Sequence, residues 1–179
     1  MRPYLTVSSQ KGDMPLKGSC AMIREVDKSE LRECLDVIHQ SFATVADEFG
    51  LTAETCPTNG AFMPLERLES NVAEGSILFA ICEDERIIAV MQLSIEGSEE
   101  IELGKLAVLP AYRHRGYGKM LIAFTKQKAE ALGIPKITIG IMEENTRLKN
   151  WYEANGFVHT GTRTFAHLPF TVGFMECSI

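Results

Sequence analysis

The chain has 179 residues, 45% of them hydrophobic and 23% charged, with 18 Lys+Arg against 24 Asp+Glu and a formal net charge of -6. This is enough apolar material for one core and about one domain, so it excludes global disorder, and no run of about eighteen apolar residues is present to cross a bilayer. An acidic total also argues against a general nucleic-acid binder, whose phosphate contacts need a dominant basic face.

Residues 1–20 carry Arg2, Lys11, Asp13 and Lys17 and lack the continuous apolar stretch of a secretory signal. They read as an N-terminal extension of a cytoplasmic protein whose single domain covers residues 21–179. Ala21 to Val26 reads as a short strand, and Lys28 or Ser29 opens a helix to about Ala43. Glu48 to Met63 is a loop by composition, centred on Cys56-Pro57-Thr58-Asn59-Gly60. Pro64 then suits the first turn of a helix reaching Ala73 or Glu74. Ile77 to Cys82 and Ile87 to Ile95 are β-rich runs joined by a polar tetrapeptide, which predicts a hairpin, and Ile101 to Leu109 is a third run.

The second half alternates helix and strand. A helix starts near Gly116, with Met120, Leu121, Phe124, Ala131 and Leu132 in one stripe of about 120°, and Gly133 and Pro135 end it. Ile137, Ile139 and Ile141 alternate as a strand, and Asn145 is placed to cap a helix carrying Leu148 and Tyr152. Phe157 to Thr164 and Phe170 to Cys177 complete the order as two strands. The pattern is α+β, a β-α-β-α-β segment attached to an N-terminal hairpin.

The most specific stretch is Arg113-His114-Arg115-Gly116-Tyr117-Gly118, followed by Lys119, between a strand and a helix. Glycines at 116 and 118 let the backbone turn tightly and approach a ligand, so that several N–H groups converge on an anion. The first turn of the following helix adds its unpaired N–H groups and the positive end of its dipole, and a pyrophosphate is the natural guest. Neither the P-loop G-x-x-x-x-G-K-[ST] nor the dinucleotide G-x-G-x-x-G fits, since Lys119 precedes Met120 and position 121 is Leu121.

Charge is divided along the chain. Residues 1–104 hold 8 basic and 19 acidic side chains, whereas residues 105–179 hold 10 and 5, for net charges of -11 and +5. The later half suits a phosphate-bearing ligand, the earlier half a cationic one. The five cysteines, Cys20, Cys34, Cys56, Cys82 and Cys177, are scattered without a C-x-x-C pair and read as reduced thiols, and no metal set is expected. His39, His159 and His167 read as structural or exposed, and Cys56 as a small loop residue or one that lines a pocket.

Arg113-x-x-Gly116-x-Gly118 after Leu106-Ala107-Val108-Leu109-Pro110, then a strand, Asn145, and Trp151-Tyr152-Glu153-Ala154-Asn155-Gly156-Phe157, resembles the GNAT N-acetyltransferase superfamily. The match runs from about Glu99 to Phe157. The resemblance implies a three-layer α/β/α fold with a mixed central sheet splayed at the cofactor site, and acetyl-CoA as co-substrate. On it, Leu106, Ala107 and Val108 offer backbone groups to the pantetheine amides. Arg113, His114, Arg115, Gly116, Tyr117, Gly118 and Lys119 hold the pyrophosphate, chiefly through main-chain N–H groups, and Asn145 contacts the pantetheine arm while capping its helix.

The resemblance also supplies two catalytic candidates. Tyr152 takes the place of a tyrosine that donates to the departing sulfur, and Trp151, about 100° around the helix, leaves one ring for the core and one for the cofactor. Glu102 takes the place of a glutamate that accepts the amine proton through water, or else anchors a cationic substrate by charge. The expected reaction is direct transfer of acetyl to a primary amine of a small molecule or peptide, with no nucleic-acid or membrane partner and with a homodimer admitted. The alternatives are a non-catalytic acetyl-CoA-binding regulator and an acyltransferase using another acyl-CoA or a hydroxyl acceptor. The acceptor half is expected from Ser29 to Glu74 and the C-terminal strands.

Overall fold

The computed structural model describes residues 22–179, with the backbone alone at Glu96. The segment read as an N-terminal extension, residues 1–20, lies outside the described residues, as do Ala21 at the start of the first expected strand and the thiol of Cys20. The elements run β1 (Met22–Glu25), α1 (Leu31–Phe49), α2 (Leu65–Ala73), β2 (Ile77–Glu83), β3 (Arg86–Glu96), β4 (Glu100–Val108), α3 (Tyr117–Leu132), β5 (Lys136–Met142), α4 (Thr146–Glu153), β6 (Val158–Thr164) and β7 (Thr171–Ser178). Among the described residues no helix is long and apolar enough to cross a membrane.

The strands form one sheet in the order β1-β2-β3-β4-β5-β7-β6, antiparallel throughout except for the parallel pair β4 and β5. The β2–β3 hairpin turns through Asp84 and Glu85, both at positive φ, as a two-residue turn matching the twist of its strands requires. Leu78 to Ile81 and Ile87 to Met91 are buried without a break, so the middle of the sheet is covered on both faces. Asn71 of α2 bonds Gln92, whereas Thr125 of α3 bonds the sulfur of Met91, its neighbour on β3. Adjacent strand residues point to opposite faces, so α2 and α3 lie on opposite sides of the sheet, as expected of three α/β/α layers.

Two elements depart from the sequence reading. Helix α1 continues to Phe49, six residues beyond the expected end, and stops where Gly50 takes a left-handed conformation. The β-branched Thr44 and Val45 are modest helix formers, but Ala46 and Phe49 pack into a second apolar cluster with Leu51, Cys56, Met142, Leu168 and Phe170, and that burial outweighs propensity. In α3 the buried side is Tyr117, Leu121, Ile122, Thr125 and Ala129, rotated by roughly 70° from the expected stripe. Ala131 and Leu132 are exposed. Small Ala129 and the self-bonded Thr125, whose hydroxyl donates to the Leu121 carbonyl, let the helix settle closely on the sheet.

This rotation is measurable by denaturant unfolding. Leu121 is 0% exposed and Leu132 56% exposed. Leu121→Ala is expected to cost about 2–5 kcal/mol and Leu132→Ala no more than about 0.5 kcal/mol; equal losses would contradict the observed packing.

Candidate active site

Strands β4 and β5 are paired only at Ile101 with Ile137 and Glu102 with Thr138, and then part. The cause lies in β4. Opposite Val90 and Gln92 stand Ala107 and Gly104, so β4 carries one residue more than β3 across this step, and Lys105 within it has φ +48°. Such a bulge bends its strand and sharpens the local twist, which turns the rest of β4 away from β5. Strand β5 meanwhile stays paired with β7 along its length.

The Leu109 N–H bonds the Ile88 carbonyl of β3. By strand alternation the Ala107 backbone also faces β3, while the N–H and C=O of Leu106 and Val108 face the gap. The three residues expected to line this edge therefore divide: Leu106 presents both backbone groups to it, Val108 only its N–H because its carbonyl accepts from Arg113 Nε, and Ala107 is a core residue paired with Val90.

After a single 3-10 turn over Pro110–Tyr112, the chain enters the glycine loop with His114 at φ +62° and Gly116 at φ +91°. Met120 is the first residue of α3 whose N–H finds a helical acceptor, the Gly116 carbonyl. The N–H groups of His114, Arg115, Gly116, Tyr117, Gly118 and Lys119 have no hydrogen-bond partner among the described residues. Six donors and the positive end of a sixteen-residue helix thus share one short arc.

The side chains of this loop have separate tasks. Arg113 turns inward: its Nε donates to the Val108 carbonyl at 3.2 Å, its Nη1 to Thr44 Oγ1 at 3.0 Å and its Nη2 to the Ser41 carbonyl at 2.8 Å. Burial and the charge of Arg147 hold its pKa below the ordinary arginine value. Arg113 fastens the loop to α1 with three of its five N–H donors. Tyr117 is also turned inward, with its hydroxyl donating to Glu83. His114, Arg115 and Lys119 are exposed, with Arg115 stacked over the Tyr112 ring.

Gly116 and Gly118 differ in kind. Gly116 supplies the left-handed N-cap of α3. Gly118 is helical, and a Cβ there would stand 3.0 Å from the Trp151 ring and 4.0 Å from Leu106. It lets α4 close against the first turn of α3. Asn145 caps α4, accepting from the Leu148 N–H at 3.0 Å, and its amide nitrogen has no partner among the described residues.

Of the two rings on α4, Tyr152 is the buried one, 7% exposed and edge-on to both Trp151 and Phe157, while Trp151 is half-buried. Burial pushes the Tyr152 phenol well above its ordinary pKa. Its hydroxyl donates to nothing among the described residues, yet the one fully sealed and unpartnered side-chain atom among them is Ser41 Oγ, so the phenol oxygen keeps a small accessible surface. A buried tyrosine hydroxyl ordinarily finds a partner, and this one has none among the described residues.

Glu102 is exposed and lies across the sheet from this group, on the α2 face, in a cavity of about 330 Å³ with Arg67, Asn71, Gln92, Ser94 and Lys105. The acidic surplus of the first half does not gather here. Glu83, Asp84 and Glu85 stand at the hairpin turn, Glu83 bonded by Tyr117 of the glycine loop, and Glu100 pairs with Lys136 at the other end of the sheet. Only Glu74 and Glu102 line the cavity, beside two cations. Cys56 is buried in the second apolar cluster and lines nothing, His39 is bonded to the Met63 carbonyl, and His159 to Glu143. Sequence reasoning missed Lys105, Arg67 and Gln92; the isolated Gly104 inside an apolar strand was the available sign of a bulge.

A match to the acetyltransferase (GNAT) family spans residues 45–157. An uncharacterized N-acetyltransferase of Mycobacterium tuberculosis is 32% identical over 82 residues, 46% of this chain and 53% of that one, so the chain matches about half the length of such relatives. In shape it is similar to the ribosomal-protein-S18-alanine N-acetyltransferase of Escherichia coli, with a TM-score of 0.72 at 16% identity over 89% of this chain and 94% of that one. It is similar also to the PaiA N-acetyltransferase of Thermoplasma acidophilum in complex with coenzyme A, with a TM-score of 0.69 at 18% identity over 89% and 99%.

The Gly118 contact gives a test by double-mutant cycle. Gly118→Val is expected to destabilise the fold by about 1–3 kcal/mol, and the penalty should shrink when Trp151→Ala opens the space. An undiminished penalty would mean that Trp151 is not what restricts this position.

Proposed function

The chain belongs to the acetyltransferase (GNAT) family, and from that premise we propose that it moves an acetyl group from acetyl-CoA to a primary amine by direct attack in a ternary complex. The observation that carries this reading is the arc of six unpartnered N–H groups from His114 to Lys119, set beside the parted edge of β4. An arc of N–H donors suits the pyrophosphate of the co-substrate, and the free backbone groups of Leu106 with the N–H of Val108 suit its pantetheine amides. Asn145 has its amide nitrogen to spare for the same arm. Arg113 serves by holding the loop; His114, Arg115 and Lys119 contribute positive potential from the surface.

The gap between β4 and β5 joins the two faces of the sheet. In this reading the thioester enters from the side of α3 and α4, and the amine arrives from the side of α2, where Glu102 lies. An alkyl amine with a pKa of about 10.4 is neutral about once in a thousand molecules at pH 7.4, a cost of about 4 kcal/mol. Glu102 attracts the ammonium and takes its proton through water. The neutral nitrogen then attacks the thioester carbon, a C–N bond forms, the nitrogen releases its second proton to water, the C–S bond breaks, and the sulfur leaves with the electron pair.

Tyr152 meets that sulfur as a neutral hydrogen-bond donor. Its raised pKa makes complete proton transfer more uphill, so the bond that strengthens as thiolate charge develops is the contribution, and solvent protonates the thiolate later. The donor form is the protonated phenol, and raising its pKa extends that form to higher pH. The rate is therefore expected to climb with pH as the amine deprotonates and to show no descending limb below about pH 10.

Two measurements test this. Thiol release from acetyl-CoA across a panel of amines and peptide N-termini is expected to occur with at least one acceptor; acetyl-CoA binding without turnover on any would favour a non-catalytic binder. Tyr152→Phe is expected to lower kcat by about 10- to 100-fold with acetyl-CoA affinity unchanged, and an unchanged kcat would remove Tyr152 from the mechanism.

A further inference from the structure

We infer that the acceptor is an amine that also carries an anionic group such as a carboxylate, seated in the cavity under α2 with its anion on Lys105 and Arg67 and its amine towards Glu102. The inference rests on the acetyl-transfer reading above and names the substrate class for that site.

The cavity, about 330 Å³, lies between α2 and the faces of β3 and β4. Its volume falls at the small end of small-molecule sites. Its lining is polar: Asn71, Gln92 and Ser94 supply neutral groups, Glu74 and Glu102 carboxylates, Arg67 and Lys105 cations. The bulge that parts β4 from β5 is what brings Lys105 here, since its left-handed backbone sends the side chain across to Gln92.

Lys105 is poorly compensated. Its Nζ donates to Gln92 Oε1 at 2.7 Å and lies 2.8 Å from the Asn71 amide when that amide offers its oxygen. Both partners are neutral. Among the described residues neither Lys105 nor Arg67 forms an ion pair. Burial and the neighbouring charge of Arg67 both pull the Lys105 pKa below the ordinary lysine value, against a smaller opposing effect from Glu102. Glu74 and Glu102 share the cavity but pair with neither cation, so the half-buried Lys105 facing Arg67 is without an ion-pair partner among the described residues, and a bound carboxylate supplies one. A second ammonium on the acceptor, placed beside these two cations, adds repulsion, so the cavity selects against polyamines as it selects for acidic amines.

Glu102 lines the same cavity. Opposite charges within one small volume match a molecule with both an ammonium and a carboxylate, such as an amino acid. The same geometry disfavours an amine whose remaining groups are neutral or positive.

The experiment compares alanine, alaninamide and 1,4-diaminobutane as acceptors by steady-state kinetics at saturating acetyl-CoA, in the wild-type chain and in Arg67→Met and Lys105→Met. Alanine is expected to exceed alaninamide in kcat/KM by at least about tenfold, although the amide's amine is the easier to deprotonate. Diaminobutane is expected to be the poorest of the three. Either substitution should shrink the preference to about threefold or less by raising the KM for alanine, with acetyl-CoA affinity unchanged. Arg67 is exposed, so its variant carries the test if replacing the more buried Lys105 prevents folding. Equal use of alanine and alaninamide, a preference for the diamine, or a preference for alanine that survives Arg67→Met would overturn the inference and leave acetyl transfer standing. Transfer to none of the three nor to any amine of the wider panel would overturn both.

Discussion

The separation of β4 from β5 governs the rest of the molecule. Two residue pairs hold the strands together at Ile101 and Glu102, and one extra residue at Lys105 turns β4 aside. A parallel pair that parts in mid-sheet leaves backbone donors and acceptors unsatisfied on its inner edge, an arrangement a fold sustains only where water or a ligand completes it. Here the open edge, both backbone groups of Leu106 and the N–H of Val108, runs directly into the glycine loop. The same bulge delivers Lys105 to the opposite face. One backbone irregularity therefore places polar groups on both faces of the sheet.

Holding that opening in place falls to contacts remote in sequence. Arg113 ties the loop to Ser41 and Thr44 of α1, so the helix that begins the fold braces the loop in its middle. Trp151 closes α4 onto Gly118, and the Tyr152 hydroxyl is carried to its buried position by that packing. The free donors of the loop belong to its backbone, so an anion held by them costs no side-chain ordering. Its arginine is spent on preorganisation, a use of charge that composition alone does not distinguish from ligand binding.

Much of this was legible in the sequence because it depends on local rules. The β2–β3 hairpin, the cap at Asn145, the stop at Gly133 and the glycine loop each follow from turn and capping chemistry within a few residues. The continuation of α1 to Phe49 did not, because the partners that reward it, Met142 and Phe170, are about a hundred residues away. The orientation of α3 was missed for a similar reason: an apolar stripe gives a helix a preferred side, but Thr125 and Ala129 decide how closely it docks. The division of charge along the chain was real, yet sequence halves are not surfaces. The acidic residues are spread over α1, α2, the hairpin turn, the far end of the sheet and the cavity, and the cavity itself holds cations.

The central claim is that the parted edge of β4 and the head of α3 together receive the co-substrate through backbone groups. Amide hydrogen exchange of the full chain with and without acetyl-CoA reads this residue by residue. The account predicts new protection at Leu106, Val108 and His114 to Lys119, with Ala107, already paired to β3, unchanged. Protection confined to other segments, or none at a saturating concentration, would contradict it.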